Sequence, residues 1–309
     1  MRSADKIVER GLLLLALSSV AVLLSITFFI LREGAPLIYK VGLANFFSTD
    51  WHPTGERYGI TLMVVGSAAV TMGALLLGVP LGVACAIVLG EMAPSRARQI
   101  LKPAIEILAG IPSVVYGFMG IVVVLPLIRR HLGGPGASVL AASVILGVMI
   151  LPTIIAISLD ALQAVPRSYR DGSLALGATQ WQTIWRVVLP GARSGIVAAV
   201  ILGMGRAVGE TMAVVMVAGN AVQFPHSPLD PVRTLTANLA LEMGYASGDH
   251  RAALFATGIV LFLVIVVLNS VAGLARTRRG KPHVQHKVPA LTPQDLATTR
   301  DQAAARSLQ

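Results

Sequence analysis

The chain is poor in charge, in aromatic side chains and in cysteine. Of its 309 residues, 13% are Asp, Glu, Lys or Arg and 5% are Phe, Trp or Tyr, whereas 55% are hydrophobic. The mean hydropathy is +0.74. A soluble domain carries charge on roughly a quarter of its residues, so a fully water-exposed surface is excluded. The single cysteine, Cys85, lies inside an apolar run. That rules out an intrachain disulfide and a thiolate metal site, and leaves it as a small packing residue. No G-x-x-x-x-G-K-[ST] loop is present, so the chain lacks that device for binding and hydrolysing ATP. No H-E-x-x-H is present either. The histidines His52, His131, His226, His250, His283 and His286 all fall in connections or in the tail. With no Ser/His pair inside one apolar run, an intramembrane enzyme is disfavoured.

What the chain has instead is apolar length. A membrane helix needs about 20 apolar residues to cross roughly 30 Å of hydrocarbon. Six segments qualify: Gly11 to Leu31, Gly59 to Gly90, Ile107 to Ile128, Ala137 to Leu159, Ser194 to Gly219 and Ala252 to Ala275. Their Leu, Val, Ile, Ala and Gly content suits closely packed membrane helices. The expected fold class is therefore an all-α integral membrane protein with six transmembrane helices. The second segment is longer than one crossing needs, and Pro80 within it suggests a kink or a continuation past the bilayer. The first follows Arg2, Lys6 and Arg10, as a signal peptide would. It is too long for a signal core and ends in no small-residue cleavage site, so it reads as an uncleaved helix.

The net charge of +10 lies between the apolar runs, which points to membrane topology rather than nucleic acid. One side holds Arg2, Lys6, Arg10, Arg96, Arg98, Lys102, Arg167, Arg170, Arg186 and Arg193, and the start of the tail adds Arg276, Arg278, Arg279, Lys281 and Lys287. The other holds Arg32, Lys40, Arg57, Arg129, Arg130, Arg233 and Arg251. A bias of roughly two to one puts both termini in the cytoplasm. The organisation expected is a cytoplasmic N-terminus (1–10), a membrane domain (11–275) and a polar cytoplasmic tail (276–309). The tail has no apolar periodicity and reads as disordered.

One connection, 160–193, reads DALQAVPRSYRDGSLALGATQWQTIWRVVLPGAR and is far longer than the usual 2–8 residues between helices. Pro166 suits the first turn of a short helix, and Leu174, Ala175 and Leu176 give that helix an apolar patch. Gly177 suits its C-terminal stop. Thr179 and Gln182 are spaced as a capping box, starting a second helix with Trp181, Ile184, Trp185 and Val188 on one face. Leu189-Pro190 ends it. Such a hairpin fits a protein partner, or an interfacial helix anchored in lipid by its tryptophans.

The hairpin resembles the cytoplasmic motif of ABC importer permeases: E-A-A, three residues, G, nine residues, I-x-L-P. Here the pattern is Asp171-Gly172-Ser173, Gly177, then Val187, Leu189 and Pro190. Spacing matches throughout; Gly172 and Ser173 depart from the two alanines. Three further stretches, GIPSVVYG (110–117), GRAVGETMAV (205–214) and VRTLTANLALEMG (232–244), are similar to phosphate importer permeases. FFSTDWHP (46–53) resembles the PstC type rather than its PstA partner. The resemblance covers about residues 5–275. It implies a type I importer permease fold, with the element around Asp171 to Thr179 docking on an ATPase. The implied partners are a second permease of the PstA type, two ATPase subunits and a periplasmic phosphate-binding protein. The chain itself would hold no cofactor, since ATP and Mg would be bound by the partner ATPase.

Arg206 and Glu210 interrupt the fifth apolar segment. Ionisable groups at membrane depth cost on the order of 2.5–3.5 kcal/mol each. At a spacing of four they would share a helix face and pair. The pair reads either as a packing device or as a phosphate path, where the forked guanidinium suits two phosphate oxygens and Glu210 steadies and weakens its grip. The resemblance implies that both positions matter to function. Glu106 marks a helix entrance, Ser113 and Tyr116 lie beside Pro112 and suit hydrogen bonds between helices, and Gly203, Gly205, Gly209 and Gly219 permit close helix approach. A self-sufficient secondary transporter would call for repeats or more intramembrane carboxylates, and would leave the hairpin unexplained.

Overall fold

The structure is a computed structural model that describes residues 3–277; residues 278–309 of the expected tail lie outside the described residues. Among the described residues, six helices are long and apolar enough to cross a membrane: Val8–Val41, Thr61–Met92, Ser113–His131, Val139–Gln163, Gln180–Gly209 and Gly248–Val271. They are called the first to sixth spans below. The number agrees with the apolar runs, and Pro80 sits inside the second span without ending it.

The second and fourth spans form the core because glycine lets them approach closely. A Cβ added at Gly78 would lie 2.8 Å from Ile150 Cγ1 and 3.0 Å from the Gly147 carbonyl oxygen, and one at Gly82 would lie 2.7 Å from Ile154 Cγ2. Ser143 donates its hydroxyl to the Val70 carbonyl across the same interface at 3.3 Å. Leu146, Ile150 and Ile154 are buried there, joined by Val214 and Val217 from beyond the fifth span. A second apolar cluster, around Phe46, Trp51, Ile60 and Leu254, closes the end where the first span finishes and the sixth begins. A third, around Ala86, Leu159, Leu162 and Val188, lies at the other end, next to the hairpin.

The first span leaves most of its length uncovered. Its packing on the sixth begins near Phe29, whose ring meets Phe255 edge-on at 5.5 Å. Gly34 makes the closest approach: a Cβ there would lie 2.6 Å from the Ala256 backbone nitrogen and 2.7 Å from the Phe255 carbonyl carbon. Backbone cannot yield as a side chain can. Gly34→Ala is therefore expected to push the two helices apart at about 1–3 kcal/mol, the ordinary cost of overpacking. Thermal unfolding of the detergent-solubilised protein reads it; an unchanged midpoint would show that the helices separate freely.

Two spans differ from expectation at their ends. The third was expected as a continuous helix from Ile107. Instead a helix Ser95–Ala109 stops, Gly110-Ile111-Pro112 breaks it, and the span restarts at Ser113. Pro112 has no N–H to donate and disfavours the helical conformation at Ile111. Its own ψ of 140° is extended. The Tyr116 hydroxyl takes the carbonyl of Leu108 at 2.8 Å, so Tyr116 bridges the break locally. The fifth span was expected over Ser194 to Gly219, with Leu189-Pro190 ending the helix before it. Instead one continuous helix runs through Pro190, by way of a π-turn over Ile184–Val188 in which the Leu189 N–H reaches back five residues to the Ile184 carbonyl. This wide turn lies where a proline's missing N–H and bulky ring would otherwise strain an α-helix. The connection is accordingly 164–179 rather than 160–193.

Candidate functional site

The hairpin forms as its local chemistry dictates. Its first arm is the helix Arg167–Ala175, none of whose residues is buried. Gly177 takes φ of +85°. That left-handed turn lets the Ala178 N–H reach the Ser173 carbonyl at 3.2 Å and the Gly177 N–H reach Leu174 at 2.9 Å. The capping box is formed in both directions: the Gln182 N–H donates to Thr179 Oγ1 at 3.2 Å, and the Thr179 N–H donates to Gln182 Oε1 at 2.9 Å. No atom lies within 4 Å of a Cβ added at Gly177, so the backbone angle alone requires glycine. Gly177→Ala should cost about 1–2 kcal/mol. Amide exchange over 167–179 should quicken by roughly tenfold, since each 1.4 kcal/mol is a factor of ten. Unchanged exchange would contradict this.

Asp171 and Gly172 are exposed on the first arm. Ser173, where the family motif has alanine, bonds the Thr183 hydroxyl at 2.9 Å and so ties the two arms. Val187 and Leu189 are half-buried and Pro190 is exposed. The expected apolar face divides: Ile184 and Val188 are buried, while Trp181 and Trp185 remain exposed and stack on each other with ring centroids 6.0 Å apart. Exposed Tyr169, Leu174 and Leu176 add to the apolar surface of the hairpin.

Sequence reasoning missed how the hairpin is fastened. Arg170 donates Nη2 to Glu91 Oε1 at 2.8 Å and Nε to Glu91 Oε2 at 3.2 Å, a forked pair. Its Nη1 reaches the Val165 carbonyl at 2.5 Å and its Nη2 the Leu162 carbonyl at 2.8 Å. Gln180, at the start of the second arm, donates to the Glu91 carbonyl at 3.1 Å.

Arg206 and Glu210 lie in the second candidate region. Gly203, one turn earlier, packs against Ile154, near the middle of the fourth span. The expected side-by-side pair does not form. The helix stops at Gly209, and Glu210 is extended, with ψ of 133°. Its carboxylate accepts the Ala213 N–H at 3.2 Å, capping the next short helix, and its carbonyl accepts the Thr236 hydroxyl at 2.8 Å. Arg206 is exposed on the chain surface and makes no hydrogen bond or ion pair with the described residues. Its charge is within electrostatic reach of the buried Tyr116 hydroxyl. The short helices that follow the breaks in the third and fifth spans pack on each other, with Gly117 against Ala213 and Met216. Thr236, from the stretch 232–244, joins them. Ser113 makes no hydrogen bond between helices among the described residues.

At the end opposite the hairpin lies a buried charge cluster that the sequence did not reveal. Glu242, 8% exposed at its side chain, accepts from Arg233 Nη1 at 2.6 Å and faces His250 Nε2 at 2.8 Å. It also accepts the Trp51 indole N–H at 3.1 Å. Arg233 further bonds the Asn220 carbonyl at 3.0 Å and Asn238 Oδ1 at 3.1 Å. Trp51 belongs to a small antiparallel ribbon of Trp51–His52 and Arg57–Tyr58. There the Arg57 guanidinium holds the Asp50 carboxyl below its ordinary range.

The family described as binding-protein-dependent transport system inner membrane component matches residues 78–281. A probable ABC transporter permease protein YqgH of Bacillus subtilis is 44% identical over 82% of this chain and 86% of its own length. The phosphate transport system permease protein PstC of Pasteurella multocida is 36% identical over 75% of this chain and 79% of its own length. Among solved structures, a bacterial alginate ABC transporter in complex with an alginate pentasaccharide-bound periplasmic protein superposes with a TM-score of 0.61, covering 89% of this chain and 98% of that chain at 16% identity. The MetNI methionine ABC transporter, in an inward-facing form, gives a TM-score of 0.55 over 70% and 96%, at 20% identity. Six spans, a hairpin with importer-permease spacing and these likenesses agree: the chain belongs to the inner-membrane permease family of binding-protein-dependent ABC importers.

Proposed function

We propose that this chain is the membrane-spanning subunit of an ATP-driven importer of inorganic phosphate. The observation that carries the solute is Arg206: a guanidinium beside two broken spans, with no hydrogen-bond or ion-pair partner among the described residues. Its donors match two oxygens of a phosphate, and in a low-dielectric path that match is stronger than in water. Relatives named as phosphate permeases support the same solute. Arg206 is exposed on the surface of one chain. The path therefore lies between this chain and a second permease of the PstA type, whose surface completes the site.

The hairpin is the ATPase contact. Asp171, Gly172, Ser173 and Gly177 present the docking helix; Val187, Leu189 and Pro190 root it in the fifth span. Two ATPase subunits hold ATP and Mg, and their closure drives the spans between inward-facing and outward-facing states. A periplasmic phosphate-binding protein delivers solute at the opposite end. The distribution of Lys and Arg supports a cytoplasmic hairpin and cytoplasmic termini. Glu210, now seen to cap a helix rather than to clasp Arg206, lowers the local positive potential and favours release.

Uptake of radiolabelled phosphate at limiting concentration tests this, in bacterial cells where the chain replaces their own permease and the other importer subunits are retained. Phosphate should enter, and excess sulfate should not compete. Competition by sulfate equal to that by unlabelled phosphate would show that a different oxyanion class is carried.

A further inference from the structure

The first arm of the hairpin has no buried residue. A push on it can reach the bundle by the backbone, through Gly177 into the fifth span, or by side chains. Among side chains, Ser173 leads only to Thr183 in the fifth span, and the route to the other spans runs through Arg170. Its guanidinium holds Glu91, at the end of the second span, by two bonds of 2.8 and 3.2 Å. The same guanidinium holds the carbonyls of Leu162, in the last turn of the fourth span, and Val165, just beyond it. The pair is well shielded, with side-chain exposures of 19% for Arg170 and 10% for Glu91. Gln180 binds the backbone of Glu91, so the second arm grips the same point. A forked, shielded ion pair whose guanidinium makes four hydrogen bonds resists shear far better than an exposed one.

We propose that Arg170 is a positioning residue for energy coupling: it locks the hairpin to the second and fourth spans, so that motion of the docking arm moves these spans together with the fifth. The inference rests on the reading of the hairpin as the ATPase contact. Arg170 does not itself touch the ATPase in this account. Its loss should leave docking intact and disconnect hydrolysis from transport. Lysine could meet Glu91 with one bond but not hold both carboxylate oxygens and two carbonyls at once, so Arg170→Lys should be intermediate.

The test is the ratio of phosphate moved to ATP hydrolysed by the whole importer in vesicles, with its binding protein. A coupling of the usual size corresponds to a change of about 5–150-fold. For Arg170→Met we expect the ratio to fall roughly tenfold, with hydrolysis little changed and the ATPase subunits still co-purifying. Arg170→Met leaves Glu91 unpaired and risks misfolding. The double variant Arg170→Met with Glu91→Leu leaves no lone charge and should show the same loss. An unchanged ratio in the double variant overturns the proposal. So does release of the ATPase subunits from it, which would make the pair part of the docking surface. If the parent chain itself fails to hold the ATPase subunits, the underlying reading of the hairpin falls, and the coupling role with it.

Discussion

Arg206→Gln should reduce phosphate uptake by at least roughly a hundredfold while leaving the protein folded and inserted. A hydrogen bond to a charged group is worth about 1.5–3 kcal/mol, and each 1.4 kcal/mol is tenfold in a binding constant. A guanidinium that grips phosphate with two such bonds therefore controls two or more decades. Glutamine keeps some length but loses the charge and the fork. Lysine keeps the charge without the fork, so Arg206→Lys should fall between. Stability should be untouched: Arg206 is exposed and bonds to no described residue, so its loss strands no partner. That separation distinguishes solute contact from packing. Uptake at the parent rate with Arg206→Gln would reduce Arg206 to a surface charge. Glu210→Gln should act differently. The amide oxygen can still accept the Ala213 N–H, so the cap persists while the charge is lost. Phosphate should then be held longer and delivered more slowly. Faster turnover in this variant would contradict the role given to Glu210.

Glu242→Ala should be the most destabilising single change at the other end of the molecule. It leaves Arg233 without its carboxylate, and His250 and Trp51 without their acceptor, all in a buried site. Removing one member of a buried charge pair costs about 3–5 kcal/mol, because the remaining charge stays desolvated. The drop should appear as a lower thermal unfolding midpoint and poor recovery from the membrane. Replacing both charges, as in Glu242→Leu with Arg233→Met, should cost less than Glu242→Ala alone, since no charge is stranded. A double variant less stable than the single would show that the charges favour the fold in themselves. The cluster ties the Trp51 ribbon, the helix Leu235–Glu242 and the start of the sixth span to one carboxylate. Its failure should loosen that whole end, including Thr236, which satisfies the Glu210 carbonyl.

The features legible in the sequence are those with a local cause. Spans were readable because crossing hydrocarbon demands apolar length. The capping box at Thr179 and Gln182 and the glycine stop at Gly177 were readable because caps act over three or four residues. Position 112 carried its signal too: a proline after Gly110-Ile111 breaks the helix, although the apolar run continues through it. Pro190 misled in the opposite direction, because a π-turn can absorb a proline that would otherwise end a helix. The end of the fifth span at Gly209 has no comparable signal. Arg206 and Glu210 sit at helical spacing in an unbroken apolar run, and the break is sustained from far along the chain by Thr236. Glu91 and Arg170 are 79 residues apart, and Trp51 and Glu242 are 191 apart. No periodicity links them; only the folded chain brings them into contact.

As proposed above, ATP on a partner, and not a gradient across the membrane, drives phosphate through this chain. The most direct measurement is phosphate accumulation in vesicles holding the full importer, with binding protein outside and ATP or its non-hydrolysable analogue inside. Accumulation against a gradient is expected with ATP, none with the analogue, and no change when proton and sodium gradients are collapsed. Accumulation that persists with the analogue and vanishes when those gradients are collapsed would make the chain a secondary transporter, with no need of ATP on a partner.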